Sequence, residues 1–363
     1  MPETRKPDIS VPIGPLHPAL KEPLRIKLET EGERIVDAEV ELGHVHRGIE
    51  KAMIGKSWDK AIYLSSRVCG ICSGVHNLTF VETMEKIAEV EPPDRARYLR
   101  VILNELDRIQ SHLIGNMAVA LGIEHETLAL WQLDIREDAM DLIEEIVGHR
   151  IILDWARLGG VKLNVEEGEL RSIPKELENL REKVTRYKPM FQGGPVAMRT
   201  KNIGHLSKEE AERAPATGPI ARASGVEFDW RQEHPTYQEL NFSPITQEEG
   251  DVCARVVQRF DEIHQSAEII ERALDKIEPG PIRRENPEMK TGEARYSGEA
   301  PRGELTYFIK TDREGNIEDA TIRTPSILNV QACVDFMLGG APTVPDAVAI
   351  YESVDPCIGC LER

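Results

Sequence analysis

Arg67-Val-Cys-Gly-Ile-Cys-Ser-Gly-Val-His76 carries a Cys-x-x-Cys pair, and the far end of the chain answers it with Asp355-Pro-Cys-Ile-Gly-Cys-Leu-Glu-Arg363. A Cys-x-x-Cys sets two sulfurs within one turn of backbone, so a single ion holds both. Two such pairs suggest four thiolates, from Cys69, Cys72, Cys357 and Cys360, on one soft metal centre. Nearly the whole chain separates the pairs. A site of this kind is made by the global fold, which must carry both end motifs to one buried point.

Working outward, 363 residues with 40% hydrophobic and 30% charged side chains are ordinary for a soluble globular protein with a large core. The net charge of -18 repels phosphate backbones, so no nucleic-acid partner is expected. No apolar run has transmembrane length, and the opening Met-Pro-Glu-Thr-Arg-Lys-Pro-Asp offers no secretory signal. Six cysteines are too few for a disulfide scaffold in a chain this long, and a reducing, cytoplasmic compartment is expected. Cys253 and Cys333 lie in helical patterns without a paired partner and read as core residues.

Residues 11–23 hold too many prolines for a helix and read as an extended, turning segment. Leu24, Ile26 and Leu28, then Val36, Ala38, Val40 and Leu42, alternate about a Glu31-Gly32 turn as a β-hairpin. Gly43-His-Val-His-Arg-Gly-Ile-Glu50 leads into a helical pattern toward the first cysteine pair. Tyr98, Ile102, Leu106, Ile109 and Leu113 mark one face of a helix beginning after Pro92-Pro93-Asp94. A second helix is expected over 136–157, ending at Gly159-Gly160. A third, after Ser172 and Pro174, is charged on most faces and reads as a surface helix. The clearest spans 250–277, where Val256, Phe260, Ile263, Ala267, Ile270, Leu274 and Ile277 repeat by four and three before Pro279-Gly280-Pro281. Residues 190–245 read as ordered loops. Beyond 300, Leu305, Tyr307 and Ile309 pair across an Asp312–Asn316 turn with Ala320 and Ile322, and Thr324-Pro325-Ser326 starts a short helix. The expected fold is mainly α (α+β), a central bundle of long helices with small β-hairpins near both ends. One domain, 1–363, is expected: an N-terminal hairpin region (1–55), the bundle (56–290), and a C-terminal hairpin and metal-ligand region (291–363).

Each chemical reading has a plainer competitor. Four thiolates are also the ligand set of a closed structural zinc site, and of an iron–sulfur cluster, although both usually hold their pairs tens of residues apart. His76, four residues after Cys72, either packs or donates a hydrogen bond that tunes the centre. Arg302 by default is a surface arginine before a strand, Glu22 an ordinary loop carboxylate, and His17, His44 and His46 solvated side chains.

Taken together, Arg-x-Cys-Gly-x-Cys-x-x-x-His, Arg47-Gly-Ile-Glu50, Glu299-Ala-Pro-Arg-Gly-Glu304 and the terminal Asp-Pro-Cys-x-x-Cys resemble the large subunit of nickel–iron hydrogenases. Gly14-Pro-Leu-His-Pro18, His46-Arg-Gly-Ile-Glu-Lys51 and Glu105-Leu-Asp-Arg-Ile-Gln-Ser-His-Leu113 also resemble the quinone-site subunit of respiratory complex I. Both sets in one chain resemble the energy-converting, membrane-associated hydrogenases of the Ech and carbon monoxide-induced type. That resemblance covers essentially the full length.

The resemblance implies a nickel–iron centre whose iron carries carbon monoxide and cyanide, with Cys69 and Cys357 as terminal nickel ligands and Cys72 and Cys360 as bridges. It implies Arg302 above the open coordination position, held by Asp355; Ser326 bonding a cyanide; His76 beside the iron; Asp107 as a supporting carboxylate; and Glu22 as the proton carrier. It implies Glu50 at a second, divalent ion (magnesium or iron), a ligand set that in soluble relatives is completed by a terminal histidine where this chain has Arg363. The implied reaction is reversible reduction of protons to hydrogen with electrons from reduced ferredoxin. The implied partners are a small subunit with a 4Fe–4S cluster, a ferredoxin-like iron–sulfur subunit and integral-membrane ion-translocating subunits, placing the chain peripherally on the cytoplasmic side of the membrane. Loops around His17, His44 and 190–245 are candidates for those contacts. The rival implied by the complex I likeness is a non-catalytic quinone-site subunit, a type that lacks the four cysteines; a structural zinc scaffold leaves the hydrogenase motifs unexplained.

Overall fold

A computed structural model describes residues 9–18, 20–285 and 287–363. Three antiparallel strands open it: β1 (Ile9–Ile13), β2 (Arg25–Glu31) and β3 (Arg34–Glu41), in the order β1-β2-β3. The sheet exceeds the expected hairpin because the start of the proline-rich segment pairs with β2, Ile13 opposite Ile26. A register irregularity between Glu29 and Thr30 changes which β3 residues face inward. Ile35 and Ala38 are buried, while Val36 and Leu42, expected on the inner face, are exposed. One extra residue in a ladder flips the side chains that follow it.

Short helices α1 (Ile49–Met53) and α2 (Trp58–Ser65) lead to the first cysteine loop, and α3 (Ser73–Ala88) leaves it. The longest helix, α4 (Asp94–Gly122), starts after Pro93, where a proline's missing N–H costs no bond. Its burial runs nearly all round because α5 (Glu126–Val147), α11 (Val252–Lys276) and α13 (Val344–Ser353) pack on it.

The expected second helix is displaced. α5 is Glu126–Val147; His125 caps its start by accepting the Leu128 N–H, and Gly148, left-handed at φ 79°, ends it. Leu158-Gly159 instead turns a two-stranded hairpin, β4 (Ala156–Arg157) and β5 (Gly160–Val161). A Cβ on Gly160 would stand 2.1 Å from the Ile282 carbonyl oxygen, so only glycine fits there.

The third helix begins earlier than Ser172. α6 is Glu167–Gln192 and passes through Pro174 and Pro189. Each proline removes one helical bond, but Leu170, Ile173, Leu177, Leu180, Val184 and Phe191 bury a continuous face against α5 and α11. It is therefore part of the bundle, contrary to its charged sequence. The segment expected as loops contains α7 (Gly194–Thr200), α8 (Lys208–Arg213), α9 (Pro219–Arg222), a 3-10 turn (Trp230–Glu233) and α10 (Pro235–Glu239). These pieces are too short to show a helical period in sequence.

α11 (Val252–Lys276) matches its expectation, and Asp251 caps it through the Ala254 N–H. Val256, Phe260, Ile263, Ala267 and Ile270 are buried against α4 and α6; each of the larger ones contributes about 1.5–3 kcal/mol. The C-terminal sheet has three strands, β6 (Gly292–Ala300), β7 (Gly303–Thr311) and β8 (Ile317–Arg323). β6 escaped the sequence reading because it is polar on both faces. α12 (Pro325–Ala332) continues as a π-helical stretch, Cys333–Leu338, followed by α13 (Val344–Ser353) and α14 (Ile358–Glu362).

The apolar core has two parts. The larger joins the bundle to the N-terminal sheet. The smaller lies between α1–α3 and β6–β8, and all four paired cysteines belong to it. Cys253 and Cys333 are buried elsewhere, as their lack of a partner implied. Among the described residues, no helix is long and apolar enough to cross a membrane.

Candidate metal centre

The first cysteine loop joins α2 to α3, and the second opens α14. In the first, the Cys69 sulfur accepts the N–H groups of Ile71 and Cys72 at 3.3 and 3.2 Å; in the second, the Cys357 sulfur accepts that of Cys360 at 3.4 Å. Across 288 positions of sequence, Cys69 Sγ lies 3.7 Å from Cys357 Sγ, and Cys72 Sγ lies 3.1 Å from Cys69 Sγ. The ligand atoms of Cys69, Cys72, His76 and Cys360 all fall within 4.8 Å of one another. All six cysteines are free thiols.

Crowding splits the thiols. Hydrogen bonds from Cys360 and Cys69 draw Cys72 down to about 6, while burial first, and neighbouring sulfurs next, push Cys360 well up. Four buried sulfurs in contact cannot all ionise without multivalent positive charge among them. A soft, thiolate-binding metal fits this donor set.

Other segments fix the two loops. Arg47 donates to the Arg67 and Val68 carbonyls at 2.7 and 2.8 Å and to the Gly359 carbonyl at 2.5 Å, joining both loops through one guanidinium. Gln110 on α4 donates to the Ile71 carbonyl at 2.6 Å and to Asp107 at 2.8 Å. Asp107, pushed up to about 6 by burial, accepts the Val75 N–H at the start of α3. It supports the loop and is not in the ligand group. The Ser326 hydroxyl accepts the Cys357 N–H at 3.0 Å.

Arg302 lies buried in the turn between β6 and β7. It donates to the Asp355 carbonyl (2.8 Å), the Asp355 carboxylate (3.0 Å) and the Ser111 hydroxyl (2.9 Å). Those three bonds leave the guanidinium one orientation. Burial alone would raise Asp355; Arg302, then Lys21 and Arg259, outweigh it and hold the carboxyl well below its ordinary range. Lys21 bridges Asp355 (2.8 Å) and Glu352 (3.5 Å). Glu22, next in sequence, accepts the Ile358 and Gly359 N–H groups at the start of α14, and its Oε1 is 3.9 Å from Cys357 Sγ. Burial, then the charge of Cys357, pushes Glu22 up to about 7.

His76 spans Cys360 Sγ, 3.6 Å from Nε2, and the Tyr307 hydroxyl, 2.9 Å from Nδ1. Burial holds it down at about 3, so the ring is neutral. Nδ1 thus faces the tyrosine hydroxyl and Nε2 the sulfur. Glu50 departs from the divalent-ion expectation: its carboxylate takes the Arg363 guanidinium at 2.8 Å and the Ile322 N–H at 2.7 Å. A cation already satisfies it, so these residues do not fit a second metal ion. His46 meets the Glu362 carbonyl at 2.6 Å, while His17 and His44 are exposed. Lys21, Arg47, Gln110, Ser111, Glu352 and Tyr307 were not singled out from sequence. Arg47, Gln110 and Ser111 carried a signal, standing inside motifs already noticed; the others read as ordinary loop, helix or strand residues.

Comparison with known proteins gives two family matches. Residues 47–116 match the nickel-dependent hydrogenases, and residues 122–292 and 283–363 match the respiratory-chain NADH dehydrogenase 49 Kd subunit. The chain is 35% identical to a subunit of the F(420)H(2) dehydrogenase of Methanosarcina mazei, over 98% of both chains. It is 34% identical to the carbon monoxide-induced hydrogenase of Rhodospirillum rubrum, over 98% of this chain and 99% of that one. Among solved structures, a chain of the membrane-bound sulfane sulfur reductase, an archaeal respiratory membrane complex, superposes over the full length of both at a TM-score of 0.92 and 29% identity.

Proposed function

The chain belongs to the family that unites hydrogenase large subunits with the 49 Kd subunit of respiratory NADH dehydrogenases, and from that premise we propose that it is the catalytic large subunit of an energy-converting nickel–iron hydrogenase. The observation that carries the reading is the convergence of Cys69, Cys72, Cys357 and Cys360 near a buried Arg302 held by three hydrogen bonds. A quinone-site subunit has no use for four thiols at one point. The rival complex I-like role draws its support from the longer of the two family matches.

The four cysteines would hold a nickel–iron centre whose iron carries carbon monoxide and cyanide, and that group supplies the redox chemistry joining two protons and two electrons into hydrogen. The protein's part is charge and proton placement. Arg302 aims a fixed positive charge that needs no reorganisation during reaction. Asp355 and Ser111 hold it there. Ser326 fixes the Cys357 backbone and would offer its hydroxyl proton to a cyanide. Glu22, poised near neutral pH beside Cys357 Sγ, accepts and releases the proton. His76 sets its Nε2 against Cys360 Sγ. Electrons would come from reduced ferredoxin through a ferredoxin-like iron–sulfur subunit and a small subunit with a 4Fe–4S cluster; ion translocation would belong to integral-membrane subunits, with this chain on their cytoplasmic side. Because the site needs residues from Lys21 to Cys360, the whole chain would act as one domain.

Metal analysis with infrared spectroscopy on the purified complex tests this. About one nickel per chain, with bands of metal-bound carbon monoxide and cyanide, and loss of both in Cys69→Ser and Cys357→Ser, is the expected result. Zinc or no metal in fully assembled material would sink the assignment in favour of the complex I-like role.

A further inference from the structure

Away from Glu22, a second set of ionisable groups is buried between α4, α9, α11 and the start of the C-terminal sheet. Glu262 accepts from His112 (2.9 Å) and Arg222 (2.8 Å). Arg222 also meets Glu299 (2.8 Å) and Asp229 (3.1 Å). Asp229 binds Arg231 (2.8 Å), which reaches Glu105 (3.0 Å), and Glu105 also faces Arg108 (3.3 Å). All eight side chains are buried. Arg259 stands between this set and Asp355 and acts on Glu262 and His112 as well as on Asp355; a Cβ on Gly115 would stand 2.8 Å from Asp355 Oδ2 and 3.1 Å from Arg259 Nε.

The charges are unevenly shared. Four carboxylates (Glu105, Asp229, Glu262, Glu299) face three guanidinium groups (Arg108, Arg222, Arg231), with Arg259 also acting on Glu262, so a proton entering this interior goes to the least compensated group. His112 is a poor place for it, because its Nδ1 has no hydrogen-bond partner among the described residues. Among the carboxylates, Glu105 takes bonds from Arg231, Tyr237 and Ser266, Asp229 from Arg231 and Arg222, and Glu262 from Arg222, His112 and Gln258. Glu299 takes one from Arg222 and a long one, 3.2 Å, from the Trp230 N–H. It is the least compensated of the four. It also lines a cleft of about 1390 Å³ together with Glu82, Arg231, His234, Tyr237 and Tyr296.

We propose that Glu299 is a proton-exchange group, taking protons from the cleft and passing them toward the Arg302 side of the metal centre by a route separate from Glu22. In the step itself, the Glu299 carboxylate gains a proton from a hydronium ion in the cleft, leaving water, and later gives that proton to an inner water. Arg222 Nη2, His112 Nδ1, both polar atoms of the Asn116 side chain, and Asp355 Oδ2 are buried without a partner among the described residues. His112 and Asn116 share one face of α4, and Asp355 adjoins that helix at Gly115. Such a string of polar atoms is what internal water binds. Burial, then the charge of Asp229, pushes Glu299 up to about 7, consistent with exchange at neutral pH.

The proposal rests on the hydrogenase reading only for what the protons serve. Its test uses the purified complex and two readouts. The first is infrared pH titration of the carboxylic-acid carbonyl band. A band that vanishes as pH rises through neutrality, is absent in Glu299→Gln and is shifted in Glu299→Asp supports the proposal; a band unchanged in Glu299→Gln overturns it. The second is exchange of hydrogen gas with deuterated water in a Glu22→Gln background, where the Glu299 route stands alone; there it is expected to slow about a further hundredfold in Glu299→Gln and to recover partly in Glu299→Asp, with the metal-ligand infrared bands unmoved. Exchange left unchanged by Glu299→Gln in that background, at full nickel content, also overturns it. Glutamine matches protonated glutamate in charge and shape, so folding is preserved if the proton is where we place it, and misfolding of Glu299→Gln alone counts against the proposal. If the wild-type complex is metal-loaded yet exchanges no hydrogen, the hydrogenase reading fails, and the carbonyl band still decides whether Glu299 holds the proton.

Discussion

Replacing Arg302 with lysine keeps the charge and removes the fork. The guanidinium reaches the Asp355 carbonyl, the Asp355 carboxylate and the Ser111 hydroxyl at 2.8–3.0 Å from three different nitrogens. An ammonium on a shorter, flexible stem satisfies one of these and leaves two unmade. A hydrogen bond to a charged group is worth about 1.5–3 kcal/mol net, so losing two costs at least about 3 kcal/mol of positioning. If the proposed hydrogenase function holds, at 1.36 kcal/mol per tenfold in rate hydrogen evolution should fall by more than about a hundredfold. The cysteine sulfurs lie outside these bonds, so nickel content and the carbon monoxide and cyanide bands should persist. The assay is hydrogen evolved per nickel from a reduced mediator, with infrared spectra of the same sample. A variant with full nickel and more than a tenth of the wild-type rate would show that orientation at Arg302 is not what matters and that charge alone suffices.

Gly115→Ala should disturb the same corner without changing any charge: its Cβ would approach Asp355 Oδ2 to 2.8 Å and Cγ to 3.0 Å. Such overpacking costs about 1–3 kcal/mol and should displace Asp355 from Arg302, read as a lower thermal midpoint together with a lower rate per nickel. Lys21→Met breaks a buried pair that typically costs about 3–5 kcal/mol; because Lys21 is a fifth exposed and Asp355 keeps Arg302, about 3 is expected. Adding Glu352→Gln, which removes a carboxyl that burial pushes up to about 7, should recover part of that loss in denaturant unfolding; a double variant no better than the single would refute the pairing. Asp229 and Glu262 are held below their ordinary range by Arg231 and Arg222 against the opposing effect of burial. Their contribution is fully present above the unfolded carboxylate value of about 4 and disappears as pH falls through the lower folded values. Denaturant midpoints should therefore drop steeply below about pH 4, and Asp229→Asn should flatten that slope while lowering the plateau above it.

What the sequence determined was the inventory of the centre and the faces of its longest helices. The two Cys-x-x-Cys pairs, Arg302 and Asp355 are readable because their chemistry is carried by residue type and local spacing. The apolar period of α11 and the Pro92-Pro93 start of α4 are likewise local facts. Tertiary structure decided who meets whom. Arg47 clamps two loops some 300 residues apart, Tyr307 turns His76 toward Cys360, and Lys21 answers Asp355 from a loop where nothing marks it. α6 runs through two prolines because two neighbouring helices bury its apolar face. Most of all, Glu105, Arg108 and His112 stood in sequence only as members of the Glu105–Leu113 motif, with nothing to mark them as buried. They are buried because Glu262 and Arg231 arrive from segments more than a hundred residues later. Periodicity reports which side of a helix is apolar. Whether its polar side meets water or an opposite charge depends on partners that only the folded chain supplies.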